Sequence, residues 1–388
     1  MPSLVLNFLQ YRHIESALRK KEVLLSAKAY QEAGEYALKK LRLDILQDFL
    51  GVLLFAFWVC CGFEWLNAYT PSFSDLKLSS SVLLVLEFLI LTQIVFLPFK
   101  YHREMVLDKQ FGFSKQSNRL FFVDFLKGVL LSIVVGGMIL YILMRIMESV
   151  QLWWVWGAIF VFTVMILINF AYPTWIAPLF NTFSPLQDEC LQQKIESLLE
   201  QVGFKSNGIF VMDASKRDGR LNAYFGGFGK NKRVVLFDTL LEKISCEGLI
   251  AILGHELGHF KHKDLIFNLL IQGLFLFFIF FIAGHLPKEL FDGLELERDP
   301  GNLLNFLILI APVVSFWFLP LVGYFSRRAE FRADAFGASL SSKRTLAEAL
   351  LRLVNENKSF PSSHPWYIFF HFTHPPLLER LKALDYEV

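Results

Sequence analysis

The chain has 388 residues, 54% of them hydrophobic and 19% charged, with a mean hydropathy of +0.44. That apolar excess excludes an ordinary soluble globular protein and points to an integral membrane protein with the bilayer as its surroundings. Net charge is only +2, no nucleic-acid partner is expected, and the four cysteines (Cys60, Cys61, Cys190, Cys246) form no C-x-x-C pair, so neither a thiolate zinc site nor a disulfide framework is indicated.

In chain order, MPSLVLNFLQYRHI opens with an apolar run too short to span, without the basic leader and A-x-A exit of a cleavable signal peptide. Residues 15–44 read as a charged surface helix, interrupted near Gly34, with basic residues set against anionic lipid headgroups. A spanning helix needs about 20 mostly apolar residues. Six stretches qualify: 46–66, 80–99, 121–146, 152–172, 264–285 and 303–325. Glu87, inside the second, is expected to pair with a polar helix face or a water-filled cavity rather than to catalyse.

Lys and Arg fall unevenly between the spans. There are eight in 11–44, five in 100–120, eleven in 173–263 and nine in 326–388, but only Lys77, Lys288 and Arg298 in the segments between. By the positive-inside rule the four basic segments share the cytoplasmic side. No repeat or low-complexity linker divides the chain. The expected division is a membrane domain over 1–172 and a second domain over 173–388 that includes the hairpin of the last two spans.

Residues 245–262, SCEGLIAILGHELGHFKH, read as a helix capped by Ser245 and buried along residues 249, 250, 252, 253, 257 and 260. Within it lies H-E-x-x-H. Positions four apart share a helix face, so His255 and His259 can reach one metal ion, while Glu256 is offset by one residue and suits a general base. Gly254 and Gly258 each cost about 1 kcal/mol of helix stability, which is tolerable if another backbone packs closely there. His262 reads as a surface residue at the helix end. The motif demands a further ligand downstream, and SRRAEFRADAFGA supplies it: Glu330, 71 residues after His259, with Asp334 one turn on. Two histidines and a glutamate make a three-ligand site for one zinc ion with an open fourth position, the pattern of a catalytic zinc, and Asp334 suits holding a ligand histidine by its other ring nitrogen. Alone, Glu330 and Asp334 would read as a solvated helix balanced by Arg327, Arg328 and Arg332.

With these blocks in order, the chain resembles the integral-membrane zinc metalloproteases of the CAAX prenyl protease type. The resemblance runs through GFSKQS (112–117), IAPLFNTFSPL (176–186), SKRDGRLNAYFGGFGKNKRVVLFDTLL (215–241), HELGH, EFRADAF and HPPLLERLKAL (374–384). It implies an all-α multi-pass fold, a helical barrel of seven spans around a chamber, with a small α+β metallopeptidase portion. It implies His255, His259 and Glu330 as zinc ligands, Glu256 as general base and Asp334 as their support. It implies that Asn222, with Ala223 and Tyr224, holds the substrate backbone on a strand beside the cleft, and that His374 and Arg380 assist the oxyanion. From the residues alone, His374 and Arg380 are equally compatible with structural roles, and Gly226, Gly227 and Gly229 read as a turn before RVVLF.

Only six spans are complete here, LVLNFLQYRHI resembling the end of the family's first helix. The soluble insertion before the HELGH helix is nearly absent, which suggests a compact bacterial member of an inner membrane; a eukaryotic one would be expected in the endoplasmic reticulum. The substrate is a peptide or protein, prenylated at its C-terminal cysteine in the family's activity. Quality control of membrane proteins is the alternative protease reading, and a non-catalytic zinc-binding scaffold the alternative of another class. The intact Glu256 argues against the scaffold, since a structural site has no use for it and is ordinarily closed by a fourth ligand.

Overall fold

The computed structural model describes residues 2–71, 77–227 and 232–387. The expected architecture holds: a mostly helical multi-pass protein carrying one small sheet. Among the described residues, five helices are long and apolar enough to cross a membrane: Ala27–Tyr69, Lys77–Gln110, Asn118–Ser149, Trp153–Leu179 and Asp264–Gly284. Their most apolar windows are only 6–22% buried by protein, so most of that surface is left to lipid or to an interior space.

The sixth expected span differs. Pro300–Phe316 and Leu319–Leu340 form a pair bent by 55°. The break falls just before Pro320, which lacks an N–H and sits in the first turn of the second arm. The bend turns a stretch that reads as uniformly apolar into an apolar arm and an arm carrying Glu330.

The expected interruption near Gly34 is also displaced. Pro2–Ala17 is one helix, and the helix from Ala27 runs on through Gly34. The chain breaks at 18–26 instead, with Leu24 in the left-handed region and Ser26 capping the new helix through the Ala29 N–H. Gly34 is buried against Leu18, so here the glycine permits close packing within a helix. Glu87 pairs as expected, accepting the Thr70 hydroxyl at 2.5 Å.

Among the described residues the sheet has four strands: β1 (Phe183–Pro185), β2 (Ile209–Met212), β3 (Ala223–Gly226) and β4 (Arg233–Phe237), in the order β1-β2-β4-β3. β2 and β4 are parallel and the other pairs antiparallel, with Ala223 opposite Leu236 and Tyr224 opposite Val235. β4 is central, its Val234, Val235 and Leu236 fully buried as the β-branched run RVVLF requires. β3 is therefore an edge. Gly226 belongs to the strand rather than to a turn, and a side chain there would collide with Pro173; Gly227 follows at φ +91°, and Gly229 lies outside the described residues. The sheet shares one core with the HELGH helix: Ile195, Leu199, Val234, Leu236, Leu249, Leu253 and Leu257 belong to a single buried cluster. A second core ties the membrane helices together around Trp58, Phe88, Met144, Phe280 and Leu303.

Candidate metal centre

The HELGH helix spans Cys246–Lys261, and Ser245 caps it, accepting the Gly248 N–H at 3.2 Å. His255 and His259 share one face, their rings perpendicular and 4.9 Å apart. The Glu330 helix (Leu319–Leu340) lies across this face at backbone contact, and glycines allow it. A methyl group on Gly258 would stand 2.8 Å from Ala333 Cα, and one on Gly337 2.7 Å from the His255 main-chain nitrogen. Those approaches answer why a helix tolerates Gly254 and Gly258.

Closeness of the helices brings the ligand atoms together. His255 Nε2 lies 3.5 Å from Glu330 Oε2, and His259 Nε2 lies 3.3 Å from Glu330 Oε1. One ligand atom from each of the three residues falls within 4.8 Å of the other two. The opposite ring nitrogens are held: His255 Nδ1 is 2.8 Å from Asp334 Oδ1, and His259 Nδ1 is 2.9 Å from Asp264 Oδ2. With each Nδ1–H donated to a carboxylate, each Nε2 faces inward, where once deprotonated it offers its lone pair to an ion. Glu330 Oε2 is buried without a hydrogen-bond partner. Arg380 Nη1, at 3.4 Å, supplies charge but no hydrogen bond to this oxygen, and a bound cation would satisfy the acceptor that burial leaves unbonded. The donor set, two imidazoles and a carboxylate, and this orphaned oxygen both fit a zinc-type ion.

Without metal, the acidic neighbours make the site a proton trap. Burial pulls the His259 ring down, but its bonds to Glu330 and Asp264 outweigh that and take its pKa up to about 9. The Glu256 carboxyl is raised by burial, against the pull of the two histidines. Glu256 stands outside the three-ligand group and lines a cavity of about 560 Å³ with His255, His374 and Arg380. His262, the helix cap, is exposed and takes no part.

The two residues assigned to the oxyanion sit differently. His374 Nε2 lies 3.2 Å from Glu330 Oε1 with its side chain 64% exposed, so its ring faces the cavity. Arg380 is buried; its Nε and Nη2 bind Asp334 at 2.8 and 2.6 Å, and Nη1 faces Glu330 Oε2 at 3.4 Å. Asn222 is exposed just before β3 and turns its Oδ1 back to the Ala223 N–H at 2.9 Å; Ala223 is buried and Tyr224 half-buried.

Sequence reasoning missed Asp264, which holds His259 and is itself held by Arg332 Nη2 at 2.8 Å. Its signal was an acidic residue five places after His259, at the first position of the next span.

Comparison with known proteins settles the family. Residues 185–388 match the profile described as peptidase family M48, and residues 10–182 match that of the CAAX prenyl protease N-terminal region with five membrane helices. The chain belongs to peptidase family M48. It is 34% identical to a rice CAAX prenyl protease 1 homolog, over 93% of this chain and 88% of that one. Identity to the CAAX prenyl protease 1 of Saccharomyces cerevisiae is 35%, over 76% of this chain and 70% of the yeast protein. The crystal structure of Ste24p from S. mikatae superposes with a TM-score of 0.88 at 29% identity, covering 98% of this chain and 95% of that one. This M48 member is thus a multi-pass membrane metalloprotease of the CAAX prenyl protease type. Those relatives are eukaryotic, and nothing in the comparisons supports the expected bacterial source.

Proposed function

We propose that this protein is a zinc endopeptidase that removes the C-terminal tripeptide from prenylated proteins. The observation that carries the chemistry is the convergence of His255 Nε2, His259 Nε2 and Glu330 on one point, with Glu256 beside it on the cavity wall. The names of the relatives support the substrate class. His255, His259 and Glu330 would hold the ion; Asp334 and Asp264 would fix the rings. Bound zinc supplies Lewis acidity, bringing a water pKa toward about 7 and polarising the scissile carbonyl. Glu256 takes the proton of the attacking water and passes it to the leaving amine. His374, open to the cavity, donates to the oxyanion, a contribution of about 3 kcal/mol for a well-placed donor. Arg380, already bound by Asp334, acts by holding that carboxylate. The substrate lies extended along the free edge of β3, main chain to main chain, beside Asn222, Ala223 and Tyr224. The 33-to-3 distribution of basic residues supports a cytoplasmic site.

The test compares wild type with Glu256→Gln in detergent, following bound zinc, cleavage of a farnesylated CAAX peptide and cleavage of casein. The variant keeps its zinc and loses activity by 10²-fold or more. Undiminished cleavage by the variant refutes the mechanism. Casein cleavage without CAAX cleavage by wild type moves the substrate to unprenylated proteins.

A further inference from the structure

The strand proposed to take the substrate is pinned by a residue outside every motif described above. Asn357 follows the helix Lys343–Glu356 and caps it, donating its N–H to Leu353 O at 2.9 Å. Lys358, at φ +46°, then turns the chain away, and Ser359 N–H closes the turn on Val354 O at 2.9 Å. The turn presents the Asn357 carboxamide to the main chain of Leu221. Asn357 Oδ1 accepts the Leu221 N–H at 2.8 Å, and Asn357 Nδ2 donates to Leu221 O at 3.3 Å. One side chain thus satisfies both main-chain groups of one residue, as a neighbouring strand would.

Leu221 is buried and immediately precedes Asn222 and β3. On the far side Asn222 O accepts the Phe237 N–H at 3.1 Å, which fixes the register of β3 on β4. Asn357 also lines the cavity that holds His255 and Glu256. Its helix packs on the HELGH helix, Ala349 lying 3.5 Å from where a Gly248 side chain would begin. The carboxamide therefore links the elements that carry the metal ligands to the start of the edge strand.

We propose that Asn357 is a positioning residue for peptide hydrolysis: through Leu221 it sets the register and distance of the β3 edge relative to the metal centre. This rests on β3 as the substrate strand. A peptide paired with an edge strand is cut where the strand presents it. A start freed from its anchor presents neighbouring bonds as well and misplaces the chosen carbonyl, and displacements of about 1 Å cost up to 10²-fold in rate.

The experiment uses full-length Asn357→Ala and Asn357→Asp in detergent, with a CAAX peptide and its backbone N-methylated analogues as probes. We measure zinc content, thermal unfolding, kcat, KM and the cleavage sites by mass. Asn357→Ala keeps wild-type zinc, raises KM, lowers kcat/KM ten- to a hundredfold and cuts at additional bonds. Asn357→Asp keeps the acceptor for the Leu221 N–H and loses the donor, so its loss is intermediate; it carries the test if the alanine variant does not fold. Wild-type kinetics with a single cleavage site in the folded variant overturn the role of Asn357. If N-methylated peptides are then still cut poorly, β3 remains the substrate strand; if wild type cuts them as well as the unmodified peptide, the strand reading fails and the inference with it.

Discussion

Arg380 holds Asp334 by two parallel hydrogen bonds, and Asp334 in turn holds His255, so a residue near the C-terminus orients an imidazole 125 positions earlier. All three side chains are nearly solvent-free. Breaking one member of a buried charged pair costs about 3–5 kcal/mol, because the partner is left uncompensated. Arg380→Met is expected to lower the thermal transition and to reduce zinc content. Arg380→Lys keeps the charge but cannot form the two-pronged contact, so it falls between. An Arg380→Met protein with wild-type melting and full zinc would show that Asp334 does not depend on this contact.

Asp264 does for His259 what Asp334 does for His255. Carboxylates behind ligand histidines contribute 10- to 100-fold in metal affinity. Asp264→Asn and Asp334→Asn should each weaken zinc by that range in a chelator competition. The Asp334 change should also destabilise the fold, since it strands the Arg380 charge, whereas Arg332 is half exposed and is left in water by the Asp264 change. Equal destabilisation by both would contradict this division.

Much of this centre was legible in sequence because its parts are local. H-E-x-x-H places two rings by helix geometry alone, and Glu330 with Asp334 repeats the logic one turn apart. The six apolar stretches were legible because hydropathy reports them directly. The bend at Phe316–Leu319 was not, since 303–325 is mostly apolar and holds two prolines, of which Pro312 lies inside a helix and only Pro320 stands at the break. Asp264 and Asn357 were missed for a different reason. An acid at a span entrance and an asparagine after a helix are ordinary surface choices, and only the folded chain shows that Asn357 meets Leu221 across 136 residues. His374 and Arg380 came from the resemblance alone, and their different burial, one open and one enclosed, has no sequence signal.

Removing the metal exposes the charge balance of the site. At pH 7 the metal-free His259, with a pKa of about 9, is protonated, and its Nε2 must lose that proton to bind. Titrating zinc into stripped protein at pH 7 in two buffers of different ionisation enthalpy should show release of about one proton from this ring. The sign fixes the trend: release is largest below pH 9 and fades as the pH rises through it, because the ring is then already neutral. Buffer-independent heats at pH 7 would mean that the ring is neutral before zinc arrives.

Gly258 provides the sharpest steric test. Alanine there favours an isolated helix by about 1 kcal/mol. In this fold its methyl would stand 2.8 Å from Ala333 Cα, a backbone atom that cannot swing aside. Overpacking of this kind costs about 1–3 kcal/mol, so the clash outweighs the propensity gain. The two helices must separate, and Glu330, three residues before Ala333, moves away from His255 and His259. Gly258→Ala should therefore lose zinc affinity and activity together while its far-ultraviolet circular dichroism stays helical. Gly128→Ala, in a helix with nothing within 4 Å of the added methyl, controls for the propensity gain alone and should leave zinc affinity unchanged. Full zinc affinity in Gly258→Ala would mean that the helices yield without disturbing the ligands.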